Sequence, residues 1–237
     1  MPLSKEGRRV RAMFAGIARR YDLLNHVLSL NIDRRWRRRA ARRLALDARS
    51  RVLDVCTGTG DLAFELARHL APDEGWVHGT DFCPEMVTIA EEKRKRRAVR
   101  NVAFSVADTL ALPFPDGAFD AVTVAFGIRN VESLDRGLAE MARVLRPGGR
   151  LAILEFTASQ RRPIRAAYRL YFHRLLPRIG AWISRSRAGE DAYAYLPASV
   201  DEFPGPEELG RRMEQAGFAA VRWDLLSFGI AALHVGE

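Results

Sequence analysis

Four aspartates and two glycines carry the first chemistry this sequence offers: Asp54, Asp61, Asp81 and Asp108, with Gly58 and Gly60 inside the stretch RVLDVCTGTGDL at 51 to 62. The apolar run Val52, Leu53, Val55 predicts a buried parallel strand. Gly58 and Gly60 allow backbone conformations and a close approach that a side chain would block, and Asp61 with the apolar residues after it opens a helix. Strand, glycine turn and helix together let the backbone itself line a nucleotide-type ligand. Asp54 belongs to the first strand, Asp81 follows a second and Asp108 a third, so in a doubly wound sheet the three meet at one crevice. Asp81 lies 21 residues beyond Gly60, where an acid accepts both ribose hydroxyls of an adenosine. Asp108, with Thr109, is placed to receive an adenine amino group, and Asp54 sits behind the loop near a ligand ammonium. Helix capping is the competing explanation for any single one of these acids.

The glycines alone leave two ligands open, because GTGDLA at 58 to 63 also fits the dinucleotide fingerprint. A pyrophosphate needs a bare glycine loop and a helix N-terminus, and Asp54 and Asp61 would oppose it. S-adenosylmethionine carries a sulfonium, an ammonium and no phosphate. The charge logic favours the methyl donor, held by Asp54, Gly58, Thr59, Gly60, Asp81, Asp108 and Thr109.

The elements that must position these residues follow from the apolar pattern. A chain of 237 residues with 48% hydrophobic content can build one substantial core. Strands are predicted at 51 to 55, 76 to 80, 102 to 106, 119 to 124 and 149 to 155, with helices near 61 to 70, 84 to 96 and 133 to 145. This alternation argues an α/β fold with a parallel sheet covered on both faces. A helix at 206 to 216 and strands at 219 to 226 and 229 to 235 close the chain, and the short connection at 227 to 229 makes the last strand antiparallel. We therefore expect one domain over 1–237: N-terminal helices at 1–48, a binding core at 49–156, a helical cap at 157–205 and a closing helix and hairpin at 206–237. Seven arginines surround Trp36 between Arg34 and Arg43, a segment read as too basic to be a buried helix.

The net charge of +9 points to polyanionic partners, either nucleic acid or an acidic membrane face. No apolar run is long enough to span a bilayer, and the first residues lack the apolar core of a secretory signal, so a cytoplasmic location is expected. Cys56 and Cys83 have no metal-ligand spacing and read as small buried thiols. None of the five histidines, His26, His69, His78, His173 and His234, pairs at metal-ligand spacing, and no metal is expected.

LDVCTGTG, Asp81, LPFPDGAFDAV and RVLRPGGRLAILEF together resemble class I S-adenosylmethionine methyltransferases, which implies a Rossmann-like, mostly parallel seven-stranded sheet with an antiparallel last strand. YDLLNHVLSLNIDRRW at 21 to 36, FGIRNV at 126 to 131 and RVLRPGGRLAILEF at 143 to 156 resemble, more narrowly, the UbiE/MenG family of quinone-biosynthesis C-methyltransferases. LPRIG at 176 to 180 and ALHVG at 232 to 236 extend the likeness nearly end to end. The chain departs from the family pattern at Leu24, Asp33, Asp108-Thr109 and Ala125. At Ala125 a serine is common, and only a backbone contact to the donor is left there.

The resemblance implies methylation of a ring carbon on a polyprenylated naphthoquinol, demethylmenaquinol to menaquinol, or on the benzoquinol precursor of ubiquinone. Such a carbon attacks the sulfonium methyl only when a neighbouring hydroxyl is at least partly ionised. Arg129, with Asn130, is the candidate for holding that oxygen, and Tyr21 for closing the site from the N-terminal helices; a structural ion pair and plain packing are their competing explanations. In the cap, Tyr168, Tyr171, Phe172 and Leu175 with Arg161, Arg162, Arg165 and Arg169 suit a quinone tail or an anionic membrane surface, giving peripheral membrane association. The reading also admits a homodimer. An RNA methyltransferase or a non-catalytic RNA-binding module would use the same basic surface, but the planar-base motif (N/D)PPY is absent after the fourth strand. A nicotinamide dehydrogenase is the remaining alternative.

Overall fold

The run Arg51–Val55 forms β1, and its last four residues are buried, the environment that Val52, Leu53 and Val55 require. A computed structural model of the chain describes residues 5–29, 31–157, 195 and 197–237. Six further strands are β2 (Trp76–Asp81), β3 (Val102–Val106), β4 (Phe119–Ala125), β5 (Leu145–Phe156), β6 (Arg222–Leu226) and β7 (Ala231–Gly236). They form one sheet in the order β3-β2-β1-β4-β5-β7-β6. The first five strands pair in parallel, and β7 runs antiparallel to both β5 and β6. The expected seven-stranded architecture with an antiparallel last strand is found.

The helices are α1 (Lys5–Leu28), α2 (Ile32–Arg43), α3 (Asp61–Ala67), α4 (Pro84–Arg96), α5 (Leu134–Val144) and α6 (Pro206–Gln215). On one face of the sheet Trp36, Ala40, Leu62 and Leu66 pack on Val52, Ala121 and Leu154. On the other, Leu138, Met141, Leu209 and Met213 cover Leu53, Val122 and Ile153. Alternate residues of each strand thus feed opposite cores.

The arginine-rich segment corrects its expectation. It forms α2, which is half-buried: Trp36, Ala40 and Ala41 recur along one stripe and are sealed against the sheet, while Arg34, Arg35, Arg38 and Arg42 face solvent. A one-sided apolar stripe suffices to dock a helix whatever the charge of its other face. Trp36 also donates its Nε1–H to Ser227 Oγ at 3.0 Å, tying α2 to the β6–β7 connection. β5 begins earlier than expected, at Leu145. Its pairing with β4 jumps from Phe119↔Leu145 to Ala121↔Arg150, so the Pro147-Gly148-Gly149 turn loops out of the ladder. The expected cap, with Tyr168, Tyr171, Phe172, Leu175 and its arginines, lies outside the described residues.

Candidate functional site

Strand order reverses between β1 and β4, the place where an open α/β sheet leaves a crevice at its carboxyl ends. A cleft of about 700 Å³, open to solvent, lies there, lined by Gly58, Asp81, Asp108, Thr109 and Asn130 from the sheet end and by Phe14 and Tyr21 from α1. A smaller recess of about 340 Å³ adjoins it and reaches Asp54, Thr59, Asp61 and Ala125. Tyr21, Cys56 and Gly58 line both.

The glycine loop has the shape a ligand-lining backbone needs. Gly60 sits at φ +86°, where a Cβ would come within 2.6 Å of the Phe104 ring. Gly58 is at φ +56°, and a Cβ there would meet only Tyr21, at 3.6 Å. Gly60 is thus bare for the fold, and Gly58 is bare beneath the α1 tyrosine. Two non-glycine residues beside the cleft, Cys56 at φ 50° and Phe126 at φ 58°, also hold left-handed backbone, a strain that only surrounding packing sustains.

Each acid is held differently. Asp81 ends β2, is 6% exposed, and accepts the N–H of Gly58 at 2.8 Å and of Cys83 at 2.9 Å. Burial pushes it up to about 6 despite these amides, and the residue lines the cleft. Asp54 is sealed under the loop, where Thr57 and Thr123 each donate a hydroxyl at 2.6 Å. Burial lifts it to about 6 as well. Its carboxylate therefore braces the loop from behind through two hydroxyls. Asp108 accepts the Leu110 N–H at 2.9 Å, a local turn cap, and Thr109 lies 3.4 Å from the Cys56 sulfur. The same burial raises the Cys56 thiol to about 12, which keeps it an unreactive thiol.

Asp61 changes the charge logic of the loop. Burial opposes its ionisation, but His26 and Lys93 outweigh that and hold its carboxyl well below the usual range. Lys93 donates to Asp61 at 2.7 Å, and His26 Nε2 lies 3.3 Å from the other oxygen. Asp61 is thus already paired with cations inside the protein, whereas Asp54 is held by hydroxyls and Asp81 by backbone amides. Lys93 and His26 were not singled out in the sequence; Lys93 sits in a basic run that reads as solvated helix surface.

Arg129 also departs from its expected place. It follows β4 in a short turn, with a side chain only 6% exposed, and donates to Glu155 at 2.7 Å and to the Phe126 carbonyl at 2.5 Å. It does not line the cleft directly; Asn130 and Gly127 do. Its Nε, Glu155 Oε2 and Asn130 Oδ1 are buried without hydrogen-bond partners. Burial raises the Tyr21 phenol, and Arg129 is the strongest influence pulling it back down, so Arg129 is felt at the cleft through its field. Glu155 was the readable signal here, a lone acid near the end of an apolar strand.

The family model described as the ubiE/COQ5 methyltransferase family matches residues 2–237. The chain belongs to that family. It is 51% identical over 225 residues to the demethylmenaquinone methyltransferase of Thermus thermophilus, covering 95% of this chain and 99% of that one. It is 48% identical to the ubiquinone/menaquinone biosynthesis C-methyltransferase UbiE of Citrifermentans bemidjiense, over 99% of this chain and 98% of the other. Among solved structures, a SAM-dependent methyltransferase from Aquifex aeolicus aligns with TM-score 0.56 at 22% identity, over 82% of this chain and 85% of that one. That likeness carries the fold alone. Family membership makes the chain a methyltransferase and argues against the dehydrogenase and RNA readings.

Proposed function

We propose that the protein transfers a methyl group from S-adenosylmethionine to a ring carbon of a polyprenylated naphthoquinol, converting demethylmenaquinol to menaquinol. The observation that carries this reading is the near full-length likeness to relatives of that name, joined to a cleft whose acids and apolar wall suit both reactants. The residues fit the donor: a bare glycine backbone, Asp81 as acceptor for ribose hydroxyls, Asp108 and Thr109 for the adenine edge, Ala125 of the smaller recess offering backbone, and no fixed cation among the described residues lining the larger cleft. When bound, the donor supplies an electrophilic methyl on a sulfonium.

The chain's own residues then act on the quinol. Phe14, Phe82, Met86 and Phe126 make an apolar wall that excludes water from the ring. Tyr21 and Asn130 face the same space and hold the quinol oxygen, and Arg129 behind them favours its phenolate form by charge. The phenolate pushes electron density onto the neighbouring ring carbon, which would take the donor's methyl as its bond to sulfur breaks and would then give up its proton to solvent at the open mouth of the cleft. In-line positioning of the two reactants contributes much of the acceleration.

The test is quinone profiling of a deletion strain, with the wild-type gene restored as control. Accumulation of the demethylated naphthoquinone supports the proposal, and an unchanged quinone pool removes it. A demethylated benzoquinone accumulating as well would favour the dual role that the UbiE name of the second relative carries.

We further propose peripheral contact with an anionic membrane. The outward arginines of α2 and the 68% exposed Phe228 beside its Ser227 anchor support it. No described helix is long and apolar enough to cross a membrane. Co-sedimentation with vesicles that ignores anionic lipid content would reject the contact.

A further inference from the structure

Lys93 is buried, with a side chain 5% exposed, in a helix whose following residues form a solvated basic run. Its ammonium donates to Asp22 Oδ2 at 2.8 Å, Asp61 Oδ1 at 2.7 Å and Thr59 Oγ1 at 3.0 Å. All three protons of the group are therefore used. The three acceptors come from three different elements: α1, the first turn of α3, and the glycine loop. Thr59 in turn donates a short hydrogen bond to Asp22. One cation thus joins α1 to the loop that the proposed donor would occupy.

What α1 contributes makes this junction consequential. Phe14 and Tyr21 form the α1 side of the 700 Å³ cleft, and Tyr21 lies directly over Gly58. The described apolar contacts of this helix include Ala18, which with Phe14 and Tyr21 packs on Cys83 and Met86 in a small cluster, and the buried Val10 and Ile17. A further polar link is His26, placed between Asp61 of α3 and Asp33 of α2. Without the ammonium, Asp22 and Asp61 would face each other as two carboxylates around one threonine. Their repulsion acts to push α1 off the loop.

We propose that Lys93 is a positioning residue for methyl transfer: its ammonium latches α1 over the glycine loop, and so builds the wall that carries Tyr21. It touches neither reactant; it acts through Asp22 and Thr59. The inference rests on the reading of this cleft as the donor and acceptor site, but its structural half can be measured without either ligand.

The experiment compares the full-length wild type with Lys93→Met and Asp22→Asn. Hydrogen exchange in the ligand-free protein follows residues 5–28 against the sheet, and steady-state kinetics follow KM for S-adenosylmethionine. In Lys93→Met, exchange in α1 and KM should each rise roughly tenfold or more, with β1 to β5 keeping their protection. Asp22→Asn leaves the Lys93–Asp61 pair intact and should show the same selective loosening to a smaller degree. Lys93→Arg should recover part of the protection. Equal protection of α1 in wild type and Lys93→Met overturns the latch, and so does loss of protection throughout the sheet in both variants, which would make the lysine a general core support. Loosened α1 with an unchanged KM keeps the latch but overturns its role in methyl transfer. Should Asp81→Asn leave donor binding intact while α1 still loosens in Lys93→Met, the site reading fails and the latch stands.

Discussion

Asp81 gives the sharpest test of the donor site, because its two protonation states act in opposite directions on stability and on binding. Its carboxylate is nearly sealed and rises from 3.8 to about 6. The ionised form accepts backbone amides in the free protein and keeps acceptor capacity for a ribose hydroxyl. Hydrogen bonds to a charged acceptor are worth about 1.5–3 kcal/mol each. Asp81→Asn keeps the shape, removes the charge and turns one acceptor into a donor. Loss of one such bond alone weakens binding by about 1.5–3 kcal/mol, roughly ten- to one hundred and fifty-fold in Kd. A group titrating near 6 is ionised about ten times in eleven at pH 7 and about once in eleven at pH 5. Wild-type affinity for S-adenosylhomocysteine, which has the same ribose, should therefore fall about tenfold from pH 7 to pH 5 in calorimetric titrations. Stability runs the other way. A folded-state value above the unfolded one means that the protonated acid stabilises the fold; that contribution is complete below about 3.8 and lost as pH rises through about 6. Asp81→Asn removes the titrating group but leaves one of the two backbone amides facing its NH2, so its stability should lose the wild-type pH slope while it binds worse. Affinity within twofold of wild type would refute the ribose assignment, and a variant that keeps the wild-type pH slope would hand the titration to Asp54.

The remaining predictions concern the parts around that site. Arg129→Ala should cut turnover more than about a hundredfold with donor affinity nearly unchanged, and leave Glu155 buried and unpaired at a cost of about 3 kcal/mol. Adding Glu155→Gln should restore denaturant stability without restoring turnover, so recovery of both would mark the pair as purely structural. Gly60→Ala should destabilise by roughly 2 kcal/mol or more in urea, from its positive φ and the Phe104 contact; a change below about 0.5 kcal/mol would contradict that geometry. His26 is raised above 6.5, chiefly by its bond to Asp61, with Asp33 adding to the rise and Arg34 opposing it. Its stabilisation is complete below pH 6.5 and fades as pH passes its folded value. The melting-temperature gap between wild type and His26→Asn should thus be widest near pH 5.5 and shrink toward about pH 8.5, and a gap that widens with pH would reverse the assignment.

The strands, the glycine loop and the three strand-end acids were legible in the sequence because each depends on neighbours within a few residues. Val52 to Val55 could only be a buried strand, and Gly58 and Gly60 had to follow it. What the acids do was less legible. Asp54 and Asp81 stay charge-bearing groups near the cleft, but Asp61 is neutralised by partners that no spacing rule connects: Lys93 is 32 residues away in the chain, and His26 lies on a different helix. The same holds for Arg129, whose motif marks it for function while its partner Glu155, 26 residues on, turns it into a buried pair behind the cleft wall.

The sequence by itself determined the strands, the mostly parallel character of their sheet and the family, since hydrophobic period and local turn chemistry are properties of short segments. Only the tertiary structure decided which charges remain available. Ion pairing depends on distance in space, and folding brings Asp22, Asp61 and Lys93 onto one ammonium from positions up to 71 residues apart. The run RVLDVCTGTGDL announces a binding loop; the lysine of a distant helix sets the charge on that loop and holds α1 against it.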